Sequence, residues 1–146
     1  MKGTFPRGQK LYPAHYALLY FAKGKPAVFN RDDVRVPVPA CRHCGKDIKD
    51  YGGHMKYLNP KGLNLTDVWD DTSPNRHRKF KVRKINELKM MIPVRAIRIS
   101  TNKGEIILDP FGGGGSTYQA AEQLGRAGSG SEIADVSPII ERMASS

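Results

Sequence analysis

Four consecutive glycines, residues 112–115, sit between a short apolar run that ends in an acid and a segment with helical character. The stretch 109–125 reads DPFGGGGSTYQAAEQLG, and it limits the fold more than any other part of the chain. Residues 105–109, EIILD, have the form of a buried parallel strand. After the glycines, Ser116-x-x-Gln119 fits a capping box. Ala120, Ala121 and Leu124 give the next helix an apolar face, and Gly125 ends it. AGSGSEI, 127–133, stands where a second strand belongs, although its composition is poor for one and should weaken a sheet. VSPIIERM, 136–143, predicts a closing helix. Strand, glycine turn, helix, strand, helix is the opening of a doubly wound α/β sheet.

A glycine turn between strand and helix lets a ligand approach the backbone closely. Three ligands compete for it. A phosphate loop needs Gly-Lys-Ser/Thr at its end, but Gly115 is followed directly by Ser116 and Thr117. A dinucleotide fingerprint needs a third glycine where this chain has Tyr118. An acid just ahead of the turn would also repel a pyrophosphate. S-adenosylmethionine carries no phosphate and has a cationic sulfonium and an ammonium, so an acidic neighbourhood suits it. A second acid for the ribose hydroxyls is expected about 20 residues on. Glu132 lies 23 residues after Asp109. The competing reading is that the glycines form only a flexible turn.

The charge is unevenly spread. Residues 1–104 hold 22 Lys/Arg and 8 Asp/Glu, whereas residues 105–146 hold 2 and 6. A basic body suits a polyanion, most naturally nucleic acid. The acidic end argues again against a phosphate cradle. No apolar stretch approaches the roughly 20 residues of a membrane span, and the start, MKGTFPRGQKLYP, lacks the apolar centre of a signal peptide. Two cysteines in a Cys-x-x-Cys pair fit a reducing compartment. The expectation is a soluble, cytoplasmic protein.

Upstream, YALLYFAKGKPAVFN, 16–30, predicts two short strands around a Lys-Gly-Lys-Pro turn. In NELKMMIPVRAIRIS, 86–100, Leu88, Met91, Ile92, Ala96 and Ile99 fall at helical spacing, with Pro93 expected to break the helix and open a second turn. Residues 31–75 are irregular. They hold CRHCGKDIKDYGGH, in which Cys41, Cys44 and His54 are candidate zinc ligands, because Cys-x-x-Cys-Gly has the shape of a zinc knuckle. Zinc wants four ligands, and His77 is a candidate fourth. The bland alternative is a pair of loop cysteines. RHRKFKVRK, 76–84, carries Arg76, Arg78, Lys79, Lys81, Arg83 and Lys84 with no acid, a candidate phosphate-binding strip or else a solvated basic face. Trp69, flanked by acids, is expected to be a packing anchor.

Over 100–132 the run STNKGEIILDPFGGGGSTYQAAEQLGR…GSE resembles the cofactor block of the DNA amino-methyltransferases, which methylate adenine or cytosine amino groups. NEL…IPVRAIRIS is similar to the helix that precedes that block in the family. YPAHYALLYFAKGKP, from residue 12, is similar to the late strands of its catalytic region. The resemblance implies that Asp109, Phe111, Gly113 and Gly115 form an S-adenosylmethionine loop and that Glu132 holds the ribose. It implies a permuted class in which catalysis precedes the cofactor block. Residues 1–30 are then late catalytic strands, 31–85 a basic, loop-rich recognition region for double-stranded DNA with the knuckle, and 86–146 the cofactor region. The implied fold is a partial doubly wound, Rossmann-like sheet with an irregular insertion.

One departure is large. The family holds the target amino group with an Asp/Asn/Ser-Pro-Pro-aromatic tetrapeptide, and this chain contains no Pro-Pro. The resemblance therefore points to the C-terminal part of a methyltransferase, inactive alone, with the catalytic motif upstream or on a partner chain. The other reading from a different class is a non-catalytic DNA-binding module with a zinc knuckle and a degenerate cofactor pocket.

Overall fold

A computed structural model describes residues 17–38, 40, 53–72 and 88–145. Its best-organised part is a β-α-β unit flanked by two helices: α1 (Met91–Ser100), β1 (Ile106–Asp109), α2 (Ser116–Gln123), β2 (Ala127–Gly130) and α3 (Ser137–Ala144). β1 and β2 pair in parallel, in register from Ile106 opposite Ala127 to Asp109 opposite Gly130. This is a small two-stranded piece of an α/β sheet.

The core lies on one face of that sheet. Ile97 of α1 and Ala120 and Ala121 of α2 are its buried centre, and Met90, Val94, Ile107 and Leu124 pack around them. The two alanines let the helices approach closely, and Ile107 supplies the sheet's contribution. The opposite face is open. Ile106 is 71% exposed and Leu108 73%, so the expected buried strand is buried on one side only. Period-two alternation sends Ile106 and Leu108 away from the helices, and no described element covers them.

The second strand stands where residues 127–133 are expected to supply it, despite a composition poor for a strand. β2 pairs along four residues, and its small side chains are the reason it fits. The Tyr118 ring of α2 lies where a Cβ at Gly128 would come within 3.0 Å of Cδ1. A Cβ at Gly130 would come within 2.3 Å of the same tyrosine's hydroxyl. One large side chain on the helix fills the room that the strand leaves.

Two expectations fail for local reasons. Pro93 stands buried in the first turn of α1, the opening position expected of it, but among the described residues no helix precedes it for it to break. The buried face runs through Met90, Pro93, Val94 and Ile97, and Ala96 is exposed. Apolar residues on more than one side of this helix made the phase ambiguous from spacing. The strand pair expected in 16–30 is also absent from the described residues 17–30. The chain bends at residues 23–25 and returns so that Tyr20 and Phe29 meet edge to face, 6.2 Å between centroids. A strand needs a partner ladder for its backbone groups, and no described segment offers one.

Residues 53–72 attach to this unit through polar contacts. Arg95 of α1 donates to the Asp71 carboxylate at 2.8 Å and lies over the Trp69 ring, 5.3 Å from its centroid. Trp69 is half-buried under that guanidinium, and its indole N–H donates to the Thr66 carbonyl at 3.0 Å. Arg126 crosses the bottom of the core and is 9% exposed. Its Nη2 donates to the Thr101 carbonyl at 2.7 Å and its Nη1 to the Leu124 carbonyl at 2.6 Å. It ties together the ends of α1 and α2.

Candidate functional site

Residues 109–115 form a tight turn at the C-terminal end of β1. The Asp109 carboxylate accepts from the Phe111 amide at 3.0 Å, spanning Pro110. Gly113 and Gly115 both take positive φ, +51° and +75°, a region that L side chains rarely enter. The Gly115 amide donates to the Gly112 carbonyl at 2.8 Å and closes the turn. These two positive-φ residues are the same two that the family resemblance singles out. Gly112 has a separate reason to be glycine, since a Cβ there would lie 2.7 Å from the Tyr118 hydroxyl.

The capping box does not form. Gly115 is the N-cap of α2, with no side-chain cap. The Gln119 side chain points elsewhere and accepts from Arg142 Nη1 at 2.7 Å. Ser116 is the first residue inside the helix rather than its N-cap, so its hydroxyl is out of position for the box.

Glu132 is brought onto the turn from beyond β2. Its Oε2 accepts from the Gly113 amide at 2.6 Å, and its Oε1 accepts from the Ala134 amide at 2.9 Å. Those backbone donors, Ala134 first and then Gly113, hold its carboxyl below the usual glutamate range. The seam is tightened by the Gly112 amide donating to the Ser131 carbonyl at 2.9 Å and the Ser131 hydroxyl donating to the Pro110 carbonyl at 3.0 Å. Asp109, Phe111, Gly113, Gly115 and Glu132, 23 residues apart at their extremes, therefore form one constellation.

Tyr118 is buried against the end of β1 and the glycines of β2. Its hydroxyl donates to the Asp109 carbonyl at 2.8 Å. Burial, with lesser contributions from Asp109 and Glu132, raises its pKa above the ordinary tyrosine value, so it stays a donor at neutral pH. Spacing gave no sign of Tyr118, Gly130 or Arg142 as neighbours of the turn. The one available hint was a bulky residue at the position where a third glycine would complete a dinucleotide fingerprint.

Next to Glu132 and Pro110 the turn is open to solvent. Phe111 is 84% exposed, and Ile133, next to Glu132, is fully exposed. Asp109 and Glu132 both bond backbone amides of the turn, and the turn contains no lysine. Backbone amides, two carboxylates and uncovered apolar side chains suit a phosphate-free, cationic nucleoside.

The remaining candidates stand differently. Cys41 and Cys44 lie outside the described residues, as do Arg76, Arg78, Lys79, Lys81, Arg83 and Lys84. His54 is exposed, and its carbonyl accepts from the Tyr57 amide at 3.0 Å. Among the described residues no cluster of His, Cys, Asp or Glu could hold a metal ion, and zinc gains no support. No described helix is long and apolar enough to cross a membrane.

A family profile described as DNA methylase matches residues 2–137. The chain belongs to the DNA amino-methyltransferases. It is 49% identical over 144 residues to the Type II methyltransferase M.BamHI of Bacillus amyloliquefaciens, a match that covers 98% of this chain and 34% of that protein. Against the Type II methyltransferase M1.MboII of Moraxella bovis it is 32% identical, covering 86% of this chain and 49% of the relative. M.HpaI of Haemophilus parainfluenzae, also a Type II methyltransferase, is 30% identical across 83% of this chain and 35% of its own length. The chain spans about a third to a half of these relatives. The family is one of enzymes that methylate DNA.

One pH response follows from Glu132. A carboxyl held below its ordinary range keeps its bond to Gly113 as pH falls through that range and loses it only at more acid pH. A carboxyl carbon titration by NMR should place the Glu132 midpoint below that of an exposed glutamate, with the Gly113 amide shift moving in step. A midpoint at or above the ordinary range would show that the bond does not form in solution.

Proposed function

We propose that this chain supplies the S-adenosylmethionine-binding part of a DNA amino-methyltransferase. The observation that carries the reading is the meeting of Glu132 with the Gly113 amide, 2.6 Å across two separate segments. In this reading residues 109–115 form the cofactor turn and Asp109 faces the cationic end. Glu132 exchanges its backbone partner for the ribose hydroxyls, and Phe111 and Ile133 flank the base. When bound, S-adenosylmethionine offers an electrophilic methyl group on a sulfonium. The chain's own residues position that donor and keep the site anionic.

They do not hold the acceptor. An exocyclic amino nitrogen is conjugated to its ring and is a poor nucleophile. It needs oxygen acceptors for its hydrogens and a stacking surface for the flipped base. The Pro-Pro tetrapeptide that does this in the family is not in this sequence. The motif comes from preceding polypeptide or from a partner chain, in the permuted order. The uncovered face of Ile106 and Leu108 favours such an addition. Double-stranded DNA is met by the basic strip from Arg76 to Lys84, and the setting is cytoplasmic. The small residues of 127–131 favour the second reading, a non-catalytic DNA-binding module, whereas the four-residue β1–β2 pairing and the Glu132–Gly113 contact support the first.

Calorimetric titration of the 146-residue chain with S-adenosylmethionine tests the reading. Binding is expected, weakened at least about tenfold by Asp109→Asn or Glu132→Gln, the scale of losing one charge-assisted contact. No methyl transfer to duplex DNA is expected from the chain alone. Absence of binding sinks the cofactor assignment, and robust methylation sinks the claim of inactivity.

A further inference from the structure

The proposed ligand uses one side of the glycine turn; the other side is gripped by α3. Arg142 Nε donates to the Gly114 carbonyl at 2.6 Å, while its Nη1 donates to the Gln119 side chain at 2.7 Å. One turn earlier on α3, Ile139 lies against Gly115, where an added Cβ would meet its Cα at 3.2 Å and its Cγ2 at 3.3 Å. A single guanidinium therefore bridges the turn and the first turn of α2.

An arginine beside a site for a cationic ligand would be unfavourable if it faced that ligand. Arg142 is half-buried, and these two partners are neutral oxygens of the turn and of α2. Its target is telling. The carbonyl of Gly114 and the amide of Gly115 belong to one peptide unit, and that amide is held by the Gly112 carbonyl at 2.8 Å. Both ends of the unit are thus fixed. It is bounded by two glycines, Gly114 and the left-handed Gly115, a setting in which an unrestrained peptide plane rotates at little steric cost.

We propose that Arg142 is a positioning residue for cofactor binding: it locks the 114–115 peptide so that the turn is formed before the ligand arrives. The proposal rests on the S-adenosylmethionine reading of the turn. Fixing a flexible turn in advance raises affinity by removing its ordering cost from the binding step. Lysine is a poor substitute, because an ammonium lacks the rigid fork that engages two oxygens together.

The test compares the full chain with Arg142→Met and Arg142→Lys by amide hydrogen exchange, S-adenosylmethionine titration and thermal melting. Arg142→Met should exchange about tenfold faster at residues 113–115, bind about tenfold more weakly and still melt cooperatively, with Arg142→Lys between. Added methylguanidinium should recover at least about threefold of the lost affinity, which repair of general stability would not do. If the wild type binds and Arg142→Met matches it in exchange and affinity, the proposal fails. Faster exchange throughout β1 and α1 with loss of cooperative melting also overturns it, in favour of a purely structural role. If the wild type does not bind but exchange at 113–115 still accelerates selectively, the lock on the turn stands and the ligand assignment falls.

Discussion

Gly130→Val is expected to destabilise the β-α-β unit by about 3 kcal/mol, the upper part of the usual range for overpacking. The first carbon of the new side chain would sit 1.8 Å from the Asp109 carbonyl oxygen and 2.3 Å from the Tyr118 hydroxyl. The tyrosine could rotate away, but the carbonyl belongs to the paired strand and to the start of the turn. It already accepts from Tyr118 and from the Ser131 amide at 3.2 Å. Relief therefore requires separating β1 from β2 where Asp109 and Glu132 converge. Urea unfolding should show an earlier midpoint. Gly128→Ala, which meets only Tyr118 at 3.0–3.2 Å, should cost clearly less. An unchanged midpoint for Gly130→Val would mean that the strands do not pair as described.

Arg126→Met should be nearly as damaging, by about 3 kcal/mol, since hydrogen bonds to a charged group are worth roughly 1.5–3 kcal/mol each and are not additive. The substitution keeps most of the buried stem and removes every donor. It leaves the Thr101 and Leu124 carbonyls, where α1 and α2 end, without this partner. Nε also reaches the Thr101 hydroxyl at 3.3 Å, so the loss falls mainly on the end of α1. Arg126→Lys should recover part of it through a single contact. An unfolding free energy within about 0.5 kcal/mol of wild type, the range of ordinary surface substitutions, would show that the guanidinium is replaceable by water.

What could be read from the sequence was local. The strand ahead of the glycines, the helix after them and its end at Gly125 each follow from a few adjacent residues, and each is present. The left-handed glycines and the acid 23 residues on come from a pattern that is also short. The misreadings share a cause of the opposite kind. Composition made residues 127–130 a poor strand, because the side chain that fills their room, Tyr118, sits on another element. Ser116 and Gln119 matched a capping box at the right spacing, yet Gln119 is engaged by an arginine 23 residues away. Apolar spacing in α1 could not choose its buried side, which depends on where Ala120 and Ala121 dock. Two strands expected in 16–30 lacked a described neighbour to pair with, and no local pattern reports that.

The open face of β1 makes the stability of this unit a property of more than its own residues. Anything that shields Ile106 and Leu108 binds the folded form in preference to the unfolded one, and so draws the folding equilibrium with it by mass action. A sheet finished on one side only is a thermodynamic sensor of company: its population of folded molecules reports how much of the complementary surface is nearby.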